Sequence, residues 1–416
     1  MKICLVSAFP PSRRGLNEYG YHIARELQSD PLLSLTILAD RLDSTQPELD
    51  DFDVVRCWDF NSLSNPIHVL RAIRELKPDV VWFNLLFSTF GSRAVAAFVG
   101  LTLPLLVRLS GTYTHITLHH LMDNVDLKHA GIRYPRSYRA AGYLATRMLL
   151  MANSISVLLP AYRRTLMQKY SGNNVHFRAH GILSARPEPP AFEKRGNPEH
   201  RILAFGKWGT YKRLELLIEA FEEISRRFPR ARLVIAGGNH PNTAGYVEGV
   251  AKSVAGNPNI RFTGYVEEES VSGLFSSASV MVMPYSSATG SSGVAHMACE
   301  FGLPIVCADI EDFREMSLDE QLAIKFFKIG DAHSMADCIV ELLESPAMQR
   351  EMGEANFSAA LRQTMPMIIR QYLRSFDMQH HHNALRPFSR FRRLPGWVPL
   401  RSTIFRATAP RWSPWT

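Results

Sequence analysis

The sequence predicts an α/β protein of two tandem Rossmann-like, doubly wound domains with a cleft between them. Three observations predict it. Short apolar or β-branched runs alternate with amphipathic stretches from the start of the chain, the pattern of a parallel sheet with helices on both faces. The alternation stops at a proline-bearing segment and then restarts. The 416 residues are also more than one hydrophobic core normally fills.

In the first half, Ile3–Val6, Leu35–Ala39, Val54–Cys57, Val80–Phe83, Leu105–Leu109 and Ile155–Leu159 read as strands. Asn65–Leu76 and Tyr138–Met151 read as helices between them. Ile182–Arg201 lacks periodicity and carries Pro187, Pro189, Pro190 and Pro198, so it reads as a linker. The second half restarts with strand Ile202–Phe205, helix Leu214–Phe228 and strand Arg232–Ala236, which ends in Gly237 and Gly238. Strands at Ile260–Phe262, Val280–Met283 and Ile305–Ala308 follow, then a helix from Ser334 to Leu343. The boundaries that result are a first domain over 1–183, a linker over 184–201 and a second domain over 202–362. Such a pair holds ligand at the carboxyl edges of its strands.

Composition narrows the class. A hydrophobic fraction of 46% is that of a globular chain. The cysteines, Cys4, Cys57, Cys299, Cys307 and Cys338, are odd in number and lack paired spacing, which favours buried free thiols in a reducing compartment. No cationic, apolar leader precedes the strand-like Lys2–Ser7. The apolar stretch Ala94–Val107 is short for a membrane span and contains Gly100 and Pro104. The expectation is a soluble, cytoplasmic protein.

The net charge of +8 is concentrated at one end. Residues 385–416 hold seven arginines, at 386, 390, 392, 393, 401, 406 and 411, and no acid, so the rest of the chain is near +1. Phe388, Phe391, Trp397, Phe405, Trp412 and Trp415 are interleaved with them. Two readings are open: attachment to an anionic membrane surface, at the inner face, or a C-terminal arm that is solvated or packed on the body. Charge confined to one terminal segment argues against nucleic acid as a partner.

Two segments of the second half carry chemistry. After Val280–Met283 comes Pro284 to Pro304, which packs Gly290, Ser291, Ser292 and Gly293 into a turn and runs through Val294 into a helix. Backbone N–H groups and the positive end of the helix dipole then face the turn, a ready anion site. After Ile202–Phe205 comes a turn that carries Gly206, Lys207, Gly209 and Lys212. It can fold both ammonium groups toward one point, and such point charges suit phosphate oxygens. Taken alone, solvated loop lysines explain the same residues. Taken together, the two segments describe a diphosphate held between a helix end and two lysines.

The order and spacing of these features resemble the large family of retaining glycosyltransferases with the GT-B architecture. That group includes glycogen and sucrose synthases and bacterial lipid mannosyltransferases. The resemblance covers residues 1–376 and is closest over Ile202–Ala308. Gly206-Lys207 through Lys212 resembles the motif whose second lysine holds the donor diphosphate, and Leu214–Phe221 the helix after it. Leu233–Gly238 resembles the next strand and turn. Arg261–Val266 resembles the segment whose loop borders the nucleotide base, which places Tyr265 and Val266 there. Pro284–Pro304 resembles the donor-sugar and ribose motif. Pro10–Leu16, with Ala24 and Leu27, resembles the first loop and helix, where a glycine pair approaches the donor phosphate and the acceptor. Only Gly15 matches that pair. Arg14 stands in the other place, either as added charge on the diphosphate or as a solvated loop residue. The resemblance also implies a last helix, over 363–384, that returns to the first domain, with Met365–Phe376 in it and Pro366 kinking it.

The chain departs from the family in two places. The family's paired glutamates, one on the donor sugar and one on the ribose, fall here on Thr289 or Gly290 and on Met297. Glu300 is the carboxylate left in the stretch, either a substitute ribose acceptor or an exposed helix residue. His296 either bonds a sugar hydroxyl or phosphate or faces the core. The family's histidine near the acceptor follows the fourth or fifth strand. Here Leu105–Leu109 ends in Ser110-Gly111, with His115, His119 and His120 beyond it. Asp123 is the one ligand type near these histidines, short of a metal site, and His380–His382 reads as a polar helix end.

The reading that results is a retaining, metal-independent glycosyltransferase without a cofactor. A nucleotide diphosphate-sugar is its donor and a glycan, lipid-linked or small molecule its acceptor. Lys207, Lys212 and His296 are its catalytic candidates. Gly15, Arg14, Gly206, Tyr265, Val266, Gly290, Ser291, Ser292, Gly293, Val294 and Glu300 are its donor-binding ones. The missing acids leave a second class open, a binding or scaffold protein that kept the fold and lost catalysis. A GT-B epimerase or phosphorylase is disfavoured, because no pyridoxal-phosphate lysine motif is evident and an epimerase needs carboxylates in the cleft.

Overall fold

The computed structural model describes residues 1–42, 51–124, 135–192, 200–240, 243–287 and 290–389. Pro198, Thr289 and the tail from residue 390 lie outside the described residues, as do the side chains of His380–His382. The chain divides into a body, Met1–Ile369, and a C-terminal unit, Arg370–Thr416.

The first half of the body supplies strands β1 (Lys2–Val6), β2 (Ser34–Asp40), β3 (Val54–Trp58), β4 (Val80–Leu85), β5 (Tyr113–Leu118), β6 (Ser154–Val157) and β7 (Val175–Phe177). Between them run helices α1 (Asn17–Gln28), α2 (Asn65–Leu76), α3 (Ala94–Leu101), α4 (Leu103–Leu109), α5 (Pro135–Leu149) and α6 (Pro160–Tyr170). The strands form one parallel sheet in the order β3-β2-β1-β4-β5-β6-β7.

The second half supplies β8 (Arg201–Phe205), α7 (Leu214–Arg227), β9 (Arg232–Ala236), α8 (Tyr246–Ser253), β10 (Ile260–Phe262), α9 (Glu268–Ser276), β11 (Val280–Met283) and α10 (Gly293–Glu300). It continues with β12 (Ile305–Ala308), α11 (Glu311–Glu320), β13 (Ile324–Phe327), α12 (Ala332–Glu344), α13 (Pro346–Leu361) and α14 (Met365–Ser389). Its parallel sheet runs β10-β9-β8-β11-β12-β13. Both sheets reverse direction of growth once, between β1 and β4 and between β8 and β11. Adjacent loops splay apart at such a switch point, which opens a crevice at the carboxyl ends of the strands.

The expected doubly wound α/β class is what the chain adopts. Its strands are near-continuous apolar runs because both faces are covered: β8, β11 and β12 are buried along Ile202–Ala204, Val280–Met283 and Ile305–Ala308. Cys4, Cys57, Cys299 and Cys307 are buried free thiols, and Cys338 is half-buried.

Three expectations are corrected. Leu105–Leu109 is not a strand; it belongs to α4, which buries Leu103, Pro104 and Val107 and leaves Leu109 72% exposed. The strand lies further on, at Tyr113–Leu118, and was masked by Thr114, His115 and Thr117, polar residues that are nevertheless buried. Strands β7 and β13 were also not expected; each is short and carries a polar residue, His176 and Lys325. Pro366 does not kink an element. It is the second residue of α14, in the first turn, where the missing N–H has no carbonyl to lose. Just before that helix, Ile182 N–H donates to the carbonyl of Gln363 at 2.9 Å, and Ile182 bridges Thr364.

Candidate active site

The two lysine- and glycine-bearing segments meet because their strands are neighbours. The loop after β8 and the loop after β11 leave the second sheet side by side at its switch point. Ser286 clamps them together: its N–H and its hydroxyl both donate to the carbonyl of Tyr211, at 2.8 and 3.0 Å. The turn Thr210–Lys212 is a single 3₁₀ turn that enters α7 through Arg213 in the left-handed region, at φ 45°.

This turn folds Lys212 inward. Its side chain is only 9% exposed, and among the described residues no carboxylate pairs with it. The ammonium lies 4.8 Å from the ring centroid of Tyr285, 5.7 Å from Trp208 and 5.9 Å from Tyr211. Burial, and then the charge of Lys207, push its pKa down to about 8. Gly206, at φ 144°, leaves open the space beneath: a Cβ there would sit 2.9 Å from Lys212 Nζ. Lys207 itself is exposed.

The second segment presents the start of α10. Ser292 is its N-cap, accepting the N–H of Ala295 at 3.3 Å while its hydroxyl donates to Met283 Sδ at 3.5 Å. The N–H groups of Gly293 and Val294, first in the helix, have no intrahelical acceptor and lie at the positive end of its dipole. Val294 Cγ2 would lie 3.9 Å from a Cβ on Gly206, so the helix start and the Lys212 turn border one space.

Four site expectations are revised in detail. The N–H of Gly290 is taken up within the protein, donating to Asp312 Oδ2 at 3.1 Å. Its role is close approach: at φ 89°, a Cβ on Gly290 would lie 2.4 Å from the carbonyl of His119 in the other half of the body. Gly15 does not provide that approach, since the atom a Cβ there would meet is Leu86 Cδ1 at 3.2 Å, in its own half. Arg14 makes a 3.3 Å ion pair with buried Asp40 and stacks over Phe60. Its neighbour Arg13 reaches across instead, 5.5 Å over the ring of Tyr265. Ser291 turns its hydroxyl toward Met316 Sδ, at 3.8 Å.

His296 and Glu300 also find protein partners. His296 Nδ1 lies 2.7 Å from the carbonyl of Ser292, and Nε2 lies 2.7 Å from Glu320 Oε2. Both nitrogens are thus taken, and the buried ring supports the turn from below rather than presenting a free nitrogen. Burial favours its neutral form, but the carboxylate of Glu320 and the bond to Ser292 outweigh it and raise the pKa. Glu300 is half-buried and held by the side chain and backbone of Ser184, and burial raises its pKa to about 7. Tyr265 and Val266 line a shallow groove of about 480 Å³ beside α9, with Arg261 and Thr263, and neither lysine reaches it.

Of the three expected histidines, His115 points to Ser154, with Nδ1 2.6 Å from its hydroxyl, and His120 packs against Phe87. His119, directly after β5, faces the crevice and is fixed by Asn84 Oδ1 at 2.6 Å. Among the described residues no group of three metal-ligand types converges.

Sequence reasoning missed the residues that complete this wall. Tyr19 packs edge-on against His119 and donates to the carbonyl of His180 at 3.1 Å. His180 stacks on His296 with centroids 5.0 Å apart, and its Nε2 lies 3.6 Å from the position of a Cβ on Gly293. Its Nδ1 bonds the carbonyl of Gly181, and burial lowers its pKa to about 3, so the ring is neutral. Asp312 and Glu320 come from α11, beyond the segment where acids were expected. The signal for His180 is a polar residue before a glycine, three residues past β7, a strand too short and polar to read from hydropathy.

Residues 199–345 match the family model described as glycosyl transferases group 1. Those residues are a group 1 glycosyltransferase domain. It contains Lys207, Lys212 and the turn 290–293. A stretch of 197 residues is 22% identical to phosphatidyl-myo-inositol mannosyltransferase of Mycobacterium leprae (strain TN) and covers 47% of this chain. The match spans half of that relative's length, 50%. Around the group 1 domain the whole body is GT-B in fold. Sucrose-phosphate synthase from Thermosynechococcus elongatus superposes with a TM-score of 0.73 at 15% identity, over 92% of this chain and 100% of that one. Anabaena Alr3699/HepE, solved in complex with UDP-glucose, superposes with a TM-score of 0.67 at 14% identity, over 91% and 100%. No described helix is long and apolar enough to cross a membrane.

Proposed function

We propose that this protein transfers a sugar from a nucleotide diphosphate-sugar to an acceptor in the crevice between its two sheets. One observation carries the reading: a buried lysine, Lys212, without a carboxylate partner among the described residues, set beside Gly206 and the start of α10. An ammonium is expensive to bury, and the arrangement makes sense as one half of an ion pair whose other half arrives as ligand. Lys212, the N–H groups of Gly293 and Val294, and exposed Lys207 would stabilise charge that develops on the departing diphosphate. Preorganised donors of this kind supply much of a barrier reduction. Because these groups supply the positive charge, the reading needs no metal.

The resemblance supports retention of configuration, the relative's name supports glycosyl transfer, and the UDP-glucose complex of the structural neighbour supports a nucleotide-sugar donor. The acceptor belongs to the glycan, lipid-linked or small-molecule classes. The basic aromatic tail, 385–416, would bring the enzyme to an anionic surface. Removal of the residues after Asn383 should abolish sedimentation with anionic liposomes; unchanged sedimentation would discard the tail as an anchor.

The test begins with thermal shifts against UDP, GDP, ADP and their sugars. The cognate nucleotide at a hundredfold over its Kd adds about 2.7 kcal/mol of apparent stability. Sugar transfer is then followed by NMR of the product anomer, with and without chelator. Lys212→Ala should remove most turnover, and near-normal activity would refute the assignment. Binding of a nucleotide with neither transfer nor donor hydrolysis would favour a protein that kept the site and lost the reaction.

A further inference from the structure

Tyr285 stands at the first bend after β11 and is 6% exposed. Its ring is fixed on several sides: Lys212 Nζ sits 4.8 Å from its centroid, Phe313 packs at 5.9 Å and Tyr211 at 6.4 Å. The clamp of Ser286 on Tyr211 fixes the backbone next to it. Yet among the described residues its hydroxyl has no hydrogen-bond partner. A buried hydroxyl without a partner is a liability in a folded chain, because it has given up its bonds to water.

The hydroxyl is not aimed at random. A Cβ built on Gly206 would lie 3.8 Å from Tyr285 Oη and 2.9 Å from Lys212 Nζ. Both groups therefore converge over the same bare glycine, one as a neutral donor and one as a cation. Val294 Cγ2, at the start of α10, closes the same space at 3.9 Å. A phosphate oxygen placed there accepts from both, and Gly206 gives it room. Burial also keeps the phenol protonated, with its pKa raised, so it is a donor at every working pH.

We propose that Tyr285 is a ligand of the donor's diphosphate, its hydroxyl donating a hydrogen bond to a phosphate oxygen that Lys212 neutralises. The proposal rests on the reading of the crevice as a diphosphate site. It adds a neutral donor that stays fixed while negative charge grows on the leaving group. It also explains why a tyrosine is tolerated with an unmade bond.

Tyr285→Phe tests it, since only the oxygen is removed. Isothermal titration of the wild type and the variant with UDP, GDP, ADP and inorganic pyrophosphate reads the effect. A hydrogen bond to a charged group corresponds to roughly a tenfold to hundredfold change in affinity. The expected result is that loss for the diphosphate the wild type binds, with the parent nucleoside bound equally by both proteins. The melting temperature of the unliganded variant should be unchanged or higher, because the orphan hydroxyl is gone. Equal diphosphate affinity in the two proteins would overturn the role of Tyr285 and leave the diphosphate site standing. A variant that melts lower and loses nucleoside binding as well would show a packing role and would also overturn it. A wild type that binds no diphosphate would refute both readings together.

Discussion

Tyr162 donates its hydroxyl to Asp312 Oδ2 at 2.7 Å, and the same oxygen accepts the N–H of Gly290 at 3.1 Å. Tyr162 lies on α6, in the first half of the body, and Asp312 on α11, in the second. One buried carboxylate thus ties the turn 290–293 to the opposite half of the crevice. The neighbouring pair Arg164–Glu315 reinforces the same helix contact at the surface.

Tyr162→Phe is expected to loosen that tie. The loss of one charged, buried hydrogen bond costs about 1.5–3 kcal/mol. Calorimetry should show a lower melting temperature, and kinetics should show a raised KM for the donor with a smaller change in kcat. A change in neither would mean that the bond does not position Gly290.

Gly290→Ala should be more severe. The residue sits at φ 89°, which is strained for any side chain, and its Cβ would lie 2.4 Å from the carbonyl of His119. The two halves cannot keep their present spacing with that atom in place. Diphosphate affinity measured by titration should fall at least tenfold, and an unaffected variant would show that the approach of His119 is not needed for binding.

Lys212 makes stability and function oppose each other. Its pKa falls from 10.5 unfolded to about 8 folded, a gap worth about 3 kcal/mol. Between those values the unfolded chain binds more protons, so stability rises with pH there. The penalty is full below pH 8 and is relieved as pH climbs through the window. Lys212→Met should therefore stabilise the unliganded protein at pH 7 by up to about 3 kcal/mol, with an advantage that shrinks above pH 8. Denaturant melts across pH measure this. In the wild type, diphosphate affinity should fall as pH rises past 8, with proton uptake on binding seen in buffers of different ionisation enthalpy.

The His296–Glu320 pair has the opposite sign. The folded pKa of His296 is raised above 6.5, so its contribution is complete below that value and is lost as pH rises through the folded one. Glu320→Gln removes the attraction and leaves burial dominant. The imidazole signals of His296 in NMR should then titrate below 6.5, and donor KM should rise because Ser292 loses its support. A histidine that titrates unchanged would separate the pair.

The fold was legible wherever strands were apolar. Val280–Met283 and Ile305–Ala308 lie between helices and needed only hydropathy and length to be found. Strand β5 failed that test because Thr114, His115 and Thr117 satisfy their polar groups inside the sheet through partners such as Ser154. The anion turn was equally legible, since Gly290, Ser291, Ser292 and Gly293 are contiguous. Its acids were not, because Asp312 and Glu320 sit on a later helix that only the sheet order brings beneath it.

By itself, then, the sequence determined two doubly wound halves and the local turns that face a ligand, since both follow from the period and composition of short segments. The tertiary structure alone decided which side chains serve those turns. Strand β8 pairs with β11, and that pairing of segments far apart in the chain sets Lys212 and Tyr285 over Gly206, while the pairing of β1 with β2 sets Arg14 beside Asp40. Hydrogen bonds and burial act over a few ångströms in space, whatever the distance along the chain.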